Sequence, residues 1–386
     1  MLDYRLDEEL TALRDSVREF AVERVAPVIG EFYEADKFPY ELVAQMGKMG
    51  LFGLPFPEEY GGMGGDYFAL CVVLEELARV DSSVAITLEA GVSLGAMPIH
   101  RFGTEEQKQE WLPRMCSGEA LGAFGLTEPG GGSDAGATRT TAVVDGDEWV
   151  INGTKAFITN SGTDITAFVI VTAVTGEKED GRKEISTIIV PVDTPGFTVS
   201  KKYSKVGWNA SDTRELAFSD CRVPVANLLG ERARGYAQFL SILDEGRIAI
   251  AALGVGLAQG CVDESLRYAG ERHAFGRAIG ANQVIQFKIA DMETRAHLAR
   301  LAYYQAAAKM LRGEPFKKEA AIAKLYSSEI AVTNAREATQ VHGGYGFMNE
   351  FPVARMWRDA KILEIGEGTS EVQRMLIARE LGLPPT

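Results

Sequence analysis

The stretch TTAVVDGDEWVINGTKAFIT, at residues 140–159, decides the fold class of this chain. Its Thr, Val, Ile and aromatic residues come in short runs that alternate apolar and polar positions, which is typical of half-buried β-strands. Two turn-forming pairs, Asp145-Gly146 and Asn152-Gly153, separate these runs, and such pairs favour the tight turns of β-hairpins. The stretch therefore predicts three strands, TTAVV, EWVIN and TKAFIT, joined as consecutive hairpins.

The same texture continues on both sides of this stretch, from about residue 122 to about residue 236. Three further runs have the strand pattern: ITAFVIVTAV (165–174), EISTIIVPV (184–192) and TRELAFSDCRV (213–223). We therefore expect a middle β domain of seven or eight strands at residues 122–236.

Helical periodicity replaces the strand pattern before this β domain. Apolar residues recur at steps of three and four from Leu6 to Phe20, and Pro27 is expected near the end of that first helix. Further helices are predicted at residues 67–79, 82–101 and 105–116. Residues 1–121 are thus expected to form an N-terminal α-helical domain.

The helical pattern returns after the β domain and continues through residues 237–386. Helices are predicted at residues 237–270, 283–312, 316–341 and 370–381, with Gly313 and Pro315 between the second and the third. Four consecutive helices with short links favour a bundle. The predicted fold is mainly α with a central β domain: helical domain, β-barrel or sandwich, then four-helix bundle.

Composition excludes several classes of protein. The net charge of −14 argues against a nucleic-acid surface, which needs clustered basic residues. The start MLDYRLDEEL resembles neither a secretory nor a mitochondrial leader, and no run approaches the ~20 apolar residues of a membrane span. The four cysteines are isolated, which favours free thiols in a reducing compartment. We expect a cytoplasmic protein that binds neither nucleic acid nor membrane.

Motifs of metalloenzymes and hydrolases are missing from the sequence. It contains no HExxH, no Cys/His metal spacing, no Walker loop and no GxSxG, and its four histidines are scattered. No metal site is expected.

Two segments of the β domain are candidates for a ligand site. In GLTEPGGGSDAG (125–136), glycines would let backbone N–H groups approach an anion, although the segment also suits a plain tight loop. It is not a dinucleotide-binding turn, since GxGxxG is absent and strands follow. In GTKAFITNSG (153–162), Phe157 and Thr159 would share one strand face. They could support a flat heterocycle or simply pack in the core.

Three segments of the helical region are also candidates. RHAFGRAIG (272–280) is a cationic cluster in an acidic chain, and it suits either phosphate contacts or a solvated helix end. QVHGGYGFMNEFP (340–352) has more glycines than a helix cap needs. In LEIGEGTSEVQR (363–374), glycines flank Glu367, while Ser370 and Gln373 fit a capping box that starts a helix. Glu367 could be a catalytic base or only an electrostatic complement to that helix.

Together these segments resemble the acyl-CoA dehydrogenase family. LTEPGGGSD, KAFITNSG, RHAFG, QVHGGYGF and RDAKILEIGEGTSEVQR occur in that family's order, and the likeness covers essentially the whole chain. The resemblance implies three domains, non-covalent FAD, and oxidation of acyl-CoA thioesters to trans-2-enoyl-CoA. It also implies homotetramers built as paired dimers, electron-transferring flavoprotein as partner, and a role in fatty-acid β-oxidation or branched-chain amino acid degradation.

The resemblance also assigns residues. Glu367 would be the base for the substrate's α-proton, with a pKa that burial should raise. Phe157 would lie beside the isoalloxazine, Thr159 near its N5, and Arg272 and Phe275 would reach the FAD of a neighbouring subunit. The full set of implied FAD contacts is Phe124, Leu126, Thr127, Gly132, Ser133, Phe157, Ile158, Thr159, Arg272, Phe275, Gln340, Gly343, Gly344, Thr369 and Glu371. The implied substrate contacts are Ser133, Asp244, Arg247, Gly366 and Gly368.

Substrate class and direction stay open within this resemblance. Some relatives carry the base at the position of Gly246, and Glu245 lies about 100° round the helix, where it should not reach. Gly366 replaces the Tyr of many straight-chain enzymes, which favours short or branched acyl groups. The matching stretch 82–95 has no Arg for a distal carboxylate. The alternatives are a flavin enoyl-CoA reductase, possibly on a dicarboxylic acyl-CoA, an acyl-CoA oxidase, and a non-catalytic FAD- or acyl-CoA-binding scaffold.

Overall fold

The computed structural model describes residues 5–384, so the first four residues of the acidic start lie outside it. Helices, then one large sheet, then helices follow each other along the chain. The predicted order of α, β and α is confirmed. The N-terminal helices are α1 Glu8–Phe20, α2 Ala26–Glu34, α3 Tyr40–Lys48, α4 Tyr67–Ala78, α5 Ser82–Glu89, α6 Met97–Phe102 and α7 Glu105–Cys116.

Two π-helical stretches interrupt these helices. Ala21–Val25 joins α1 to α2, and Ala90–Ala96 joins α5 to α6. The prediction that Pro27 lies near the end of the first helix is therefore wrong: Pro27 lies in the first turn of α2, directly after the π-helical stretch. The continuous helix Ser82–Phe102 has the length and composition of a membrane span, 21 residues, but 94% of its most apolar window is buried inside the protein.

The described strands form an eight-stranded sheet and a small two-stranded one. The main sheet has the order β6-β7-β3-β2-β4-β5-β8, with β1 paired in parallel to β4. Its strands are β1 Leu121–Gly125, β2 Thr141–Asp145, β3 Glu148–Thr159, β4 Thr166–Glu177, β5 Lys183–Pro191, β6 Phe197–Val199, β7 Thr213–Pro224 and β8 Leu228–Leu229. The two-stranded sheet pairs β9 His273–Ala274 with β10 Arg277–Ala278.

The hairpin predicted at Asn152-Gly153 is wrong. The turn after β2 does form, but β3 runs through Asn152-Gly153 without turning back. Pairing with β7 satisfies the backbone on both sides, and the chain absorbs the irregularity as a bulge between Ile151 and Gly153. A Cβ at Gly153, where φ is 152°, would lie 2.7 Å from the Thr140 Cα, so glycine allows this close approach.

The C-terminal helices are α8 Gly235–Glu271, α9 Gln283–Leu311, α10 Lys317–His342, α11 Pro352–Leu363 and α12 Ser370–Glu380. The four predicted helices form within about two residues of their expected bounds, and α8 packs against α4, α9 and α10. Helix α11 is not among the predictions, although Pro352 in its first turn is a typical start signal. It carries the chain back toward α5 and α8, which places the loop after it beside both helices.

Candidate active site

The Glu367 loop, residues 364–369, joins α11 to α12 and carries its glutamate in the left-handed region, at φ 51°. A non-glycine residue there is strained by roughly 1–3 kcal/mol and persists only where its surroundings fix it. Buried Lys324 of α10 supplies part of that restraint, because its Nζ donates to Leu363 O at 2.8 Å and to Gly368 O at 2.6 Å.

The start of α12 supplies the rest of the restraint on the loop. Gln373 Nε2 donates to Gly368 O at 3.0 Å, and Ser370 N donates to Glu364 O at 2.9 Å. The predicted cap at Ser370 is wrong by one residue, since Thr369 Oγ1 accepts from Val372 N. With Thr369 as the N-cap, Gln373 is the fourth residue of α12 rather than the third that a capping box requires. Its side chain bonds the carbonyls of the loop instead.

The Glu367 carboxyl group lies over α8. A Cβ at Gly246 would be 2.8 Å from Glu367 Oε2, which is buried and has no hydrogen-bonding partner among the described residues. Burial raises the pKa of this carboxyl above its ordinary value. Interaction with the Glu89 carboxyl group and the charges of Lys324 and Arg247 act on this pKa in the opposite direction. The group is a desolvated carboxylate facing a surface without a side chain.

Glu89, the last residue of α5, also faces this point and is absent from the sequence-based candidates. Its Oε1 lies 4.0 Å from the same Cβ position at Gly246, and the residue is fully buried. Burial, followed by the charge of Glu367, raises the pKa of Glu89 well above its ordinary value. The sequence signal was a single acid in the apolar run SSVAITLEAGVSLG.

The neighbouring charges of α8 are paired. Arg247 bonds Asp244, which also accepts Lys317 Nζ at 3.1 Å. Glu245 points elsewhere, as expected from its place on the helix, and bonds Arg101 at 2.5 Å. Glu367 and Glu89 are therefore the carboxyl groups that meet at Gly246.

The glycine-rich loop, residues 126–134, follows β1 and is held at its base. Fully buried Lys155 donates from Nζ to Leu126 O at 3.2 Å, Glu128 Oε1 at 2.9 Å and Thr172 Oγ1 at 3.1 Å. Burial lowers the pKa of Lys155 to about 8. Burial would raise the pKa of Glu128, but bonds from Lys155 and Thr140 outweigh it and lower that pKa to about 2.

The tip of this glycine-rich loop is open. A Cβ at Gly130 would meet nothing within 4 Å, and one at Gly132 would meet only Thr127 Cγ2, at 3.7 Å. Nearby, the hydroxyls of Thr127, Ser133 and Thr159 have no bonding partner in residues 5–384. Hydroxyl groups of the loop and of β3, and the backbone at the loop's glycines, are thus available to a ligand, which fits an anionic, flat cofactor.

The aromatic platform of β3 has a more irregular backbone than the sequence suggests. A bulge between Lys155 and Ile158 puts Phe157 at φ 61°, so the expected simple alternation of Phe157 and Thr159 is interrupted. Phe157 is 65% exposed, and its ring centroid lies 5.3 Å from that of Tyr203. Ile158 and Phe124, by contrast, are buried.

The remaining candidates divide between two distant places. Thr369 caps α12, and exposed Glu371 lies in its first turn. Arg272, just past the end of α8, places its guanidinium 5.8 Å from the centre of the Tyr345 ring, while Phe275 is 99% exposed. Gln340, five residues before Tyr345, is exposed. A Cβ at Gly343 or Gly344 would meet nothing within 4 Å.

The second of these places, around Arg272 and Phe275, is too far from Glu367 to serve the same site within one chain. Gly246 and Arg272 are separated by most of α8, or roughly 39 Å at 1.5 Å per residue. Residues 5–384 also contain no group of three His, Cys, Asp or Glu side chains placed to hold a metal ion.

Comparison with known proteins identifies relatives along the whole described chain. Family models for the acyl-CoA dehydrogenase N-terminal, middle and C-terminal domains match residues 7–119, 123–221 and 233–382. The probable acyl-CoA dehydrogenase YngJ of Bacillus subtilis is 50% identical over 380 residues, which are 98% of this chain and 100% of that protein. A short-chain specific acyl-CoA dehydrogenase of Clostridium acetobutylicum is 43% identical, over 98% and 100% of the two chains.

A solved structure is similar over the same length. Butyryl-CoA dehydrogenase from Megasphaera elsdenii superposes with a TM-score of 0.94 at 41% identity, covering 98% of this chain and 100% of that chain.

Proposed function

The chain belongs to the acyl-CoA dehydrogenase family, and from that premise we propose that Glu367 removes the α-proton of a short or branched acyl-CoA. The protein is an oxidoreductase acting on the CH–CH group of acyl-CoA, with FAD as cofactor. One observation carries the proposal: Glu367 Oε2 is buried, unpartnered among the described residues, and placed over Gly246.

The chemistry explains why the base is buried. An α-proton beside a thioester is weakly acidic, so a carboxylate removes it efficiently only if the enolate oxygen is stabilised. The Glu367 N–H donates to no described residue, which leaves it available for the substrate carbonyl oxygen. Burial, by raising the pKa of Glu367, also makes it a stronger base. FAD, when bound, accepts the hydride that leaves the β-carbon.

The open surface of the β domain is the proposed flavin site. The glycine-rich loop, with Leu126, Thr127, Gly132 and Ser133, would face the flavin and its pyrophosphate. Phe157 and Thr159 would lie against the isoalloxazine. The exposed ring of Phe157 and the hydroxyl of Thr159, which is unpartnered among the described residues, support this assignment. Thr369 and Glu371 would lie near the cofactor, and Phe124 and Ile158 would contribute through their backbone because their side chains are buried.

The preference for short or branched acyl groups rests on missing side chains. Gly366 places no side chain beside the base, where a Cβ would meet only Ile362 at 3.5 Å or more, and Gly246 places none under the Glu367 carboxyl group. Gly368 and Ser133 would border the acyl group, with Asp244 and Arg247 near the pocket mouth. The relatives named for short-chain and butyryl substrates support this size class.

We also propose the assembly and the partners. Arg272, Phe275, Gln340, Gly343 and Gly344 would contact the FAD of a second copy, within a homotetramer of paired dimers. The exposed Phe275 and its distance from Gly246 support this arrangement. Electron-transferring flavoprotein would accept the electrons, in the cytoplasm. Three domains are proposed at residues 1–121, 122–236 and 237–386.

The test is an anaerobic titration of the flavoprotein with butyryl-, isobutyryl-, isovaleryl-, octanoyl- and adipyl-CoA, followed by flavin absorbance. One short or branched acyl-CoA should bleach the flavin band near stoichiometry. Glu367→Gln should bind the same acyl-CoA and slow the bleaching by about 10³-fold, within the range for a lost general base.

Two outcomes would revise the proposal. Bleaching at the wild-type rate in Glu367→Gln would remove that residue from the role of base. A flavin that no acyl-CoA reduces would favour the enoyl-CoA reductase direction, which the same residues could serve.

A further inference from the structure

Two buried carboxyl groups meet at the candidate base, although the proposed reaction uses only one. Glu89 Oε1 and Glu367 Oε2 lie 4.0 Å and 2.8 Å from the Cβ position of Gly246, so the two carboxyl groups converge there, and the charge of Glu367 raises the pKa of Glu89. No N–H or O–H group of residues 5–384 is in hydrogen-bonding geometry with either Glu89 oxygen. Glu89 is therefore a buried polar side chain aimed at the reacting position.

The charges around the pair are distributed unequally. Lys324 of α10 and Arg247 of α8 act on Glu367 and favour its ionised form. The groups that face Glu89 are Ser93, Tyr67 and Cys71, none of them a cation. Tyr67 Oη and Ser93 Oγ are already bonded to each other at 2.8 Å.

Two carboxylates in contact inside a protein do not both ionise, since the second charge would be desolvated and repelled. One proton therefore resides on the pair. Because the nearby cations act on Glu367, the proton belongs on Glu89.

We propose that Glu89 is a positioning residue: as a neutral acid it donates a hydrogen bond to the Glu367 carboxylate and holds that base ionised over Gly246. The inference rests on the proposed role of Glu367. A donor at this position orients the acceptor and lowers the proton affinity of the resting base. Loss of the donor should leave a smaller ionised fraction of Glu367 below neutrality.

Two variants separate the hydrogen bond from the space that the side chain fills. Glu89→Gln keeps a donor, whereas Glu89→Leu removes it at similar volume. In the pH profile of kcat for flavin reduction, the acid limb of Glu89→Leu should move to higher pH, with kcat at pH 6 lowered about tenfold. The acid limb of Glu89→Gln should remain nearer the wild type. Glu245→Gln, a buried acid of α8 paired with Arg101, is the matched control and should not move it.

Two kinetic results would overturn the proposal: identical profiles for the two Glu89 variants, or an acid limb of Glu89→Gln displaced to lower pH, which would mean that Glu89 is an anion. Retention of wild-type kcat by Glu367→Gln would instead contradict the proposed role of Glu367 as base. That outcome is distinguishable from the two results for the Glu89 variants.

Infrared spectroscopy gives a readout that needs no folded Glu89 variant. The protonated-carboxyl band of the oxidised holoenzyme should persist in Glu367→Gln, because the proton resides on Glu89. Loss of that band in Glu367→Gln would place the proton on Glu367 and overturn the proposal.

Discussion

The two loops that form the candidate site use glycine in opposite ways. In the Glu367 loop, Lys324, Gln373 and the α12 cap fix the backbone, and the side chain of Glu367 is the working group. In the glycine-rich loop, Lys155 holds Leu126 and Glu128, Glu128 and Gly131 bond each other through the backbone, and the space at Gly130 and Gly132 is open. The loop that positions one side chain is bonded on both sides of that residue, whereas the loop proposed to receive a large anion leaves Gly130 and Gly132 open.

The strongest test of this comparison is Lys324→Met. Met fills similar space but leaves the carbonyls of Leu363 and Gly368 without their donor. Because a small displacement of the base is costly, kcat should fall about 10²-fold while FAD remains bound. The acid limb of the kcat profile should move to higher pH, since Lys324 lowers the pKa of Glu367. Lys318→Met on the same helix, at a side chain that is 40% exposed, is the control. An unchanged kcat in Lys324→Met would show that the loop is fixed by other contacts.

The ion pair of Glu128 and Lys155, which anchors the start of the glycine-rich loop, is tested through the stability of Glu128→Gln. The folded-state pKa of Glu128, about 2, lies below the ordinary 4.5. Its stabilisation is therefore complete above pH 4.5 and is lost as the pH falls through about 2. At neutral pH the variant should be less stable by about 3 kcal/mol, and the two proteins should converge in acid. Thermal midpoints measured from pH 7 to 3 check this.

The control for that measurement is Glu148→Gln, at a half-buried strand residue paired with Arg222 at 3.2 Å. It should lower the midpoint by little, at any pH. A Glu128→Gln midpoint that runs parallel to the wild type down to pH 3 would contradict the assignment.

The smallest expected effects come from one substitution made in both loops. Gly368→Ala places a Cβ at φ 93° and 2.7 Å from Gln373 Nε2, so it should cost about 1–3 kcal/mol of stability. Gly132→Ala meets only Thr127 Cγ2 at 3.7 Å, so its stability should stay near the wild type. Its FAD affinity should fall several-fold if the cofactor's backbone contacts are as close as proposed. Equal stability losses would erase the distinction between the loops.

The sequence was informative where a local pattern determines the structure. Helical periodicity located α8, α9 and α10 within about two residues of their bounds. The FAD contacts proposed from the resemblance stay predictions.

The errors arose where tertiary contacts decide the structure. Asn152-Gly153 is a strong turn signal, but pairing of β3 with β7 keeps it extended. Glu89 looked like an ordinary residue of an apolar helix because its importance depends on Glu367, which lies far away along the chain. The bulge at Phe157 likewise comes from strand register rather than from local propensity.

Most of helix α8 separates Gly246 from Arg272. If each FAD contacts Glu367 of one copy and Arg272 of another, a chain defective at one end of α8 can be complemented by a chain defective at the other. Co-expression of Glu367→Gln with Arg272→Glu would then yield hybrid dimers with one intact site, although each variant alone is inactive. Mixed populations of two damaged alleles would retain activity that neither parent has.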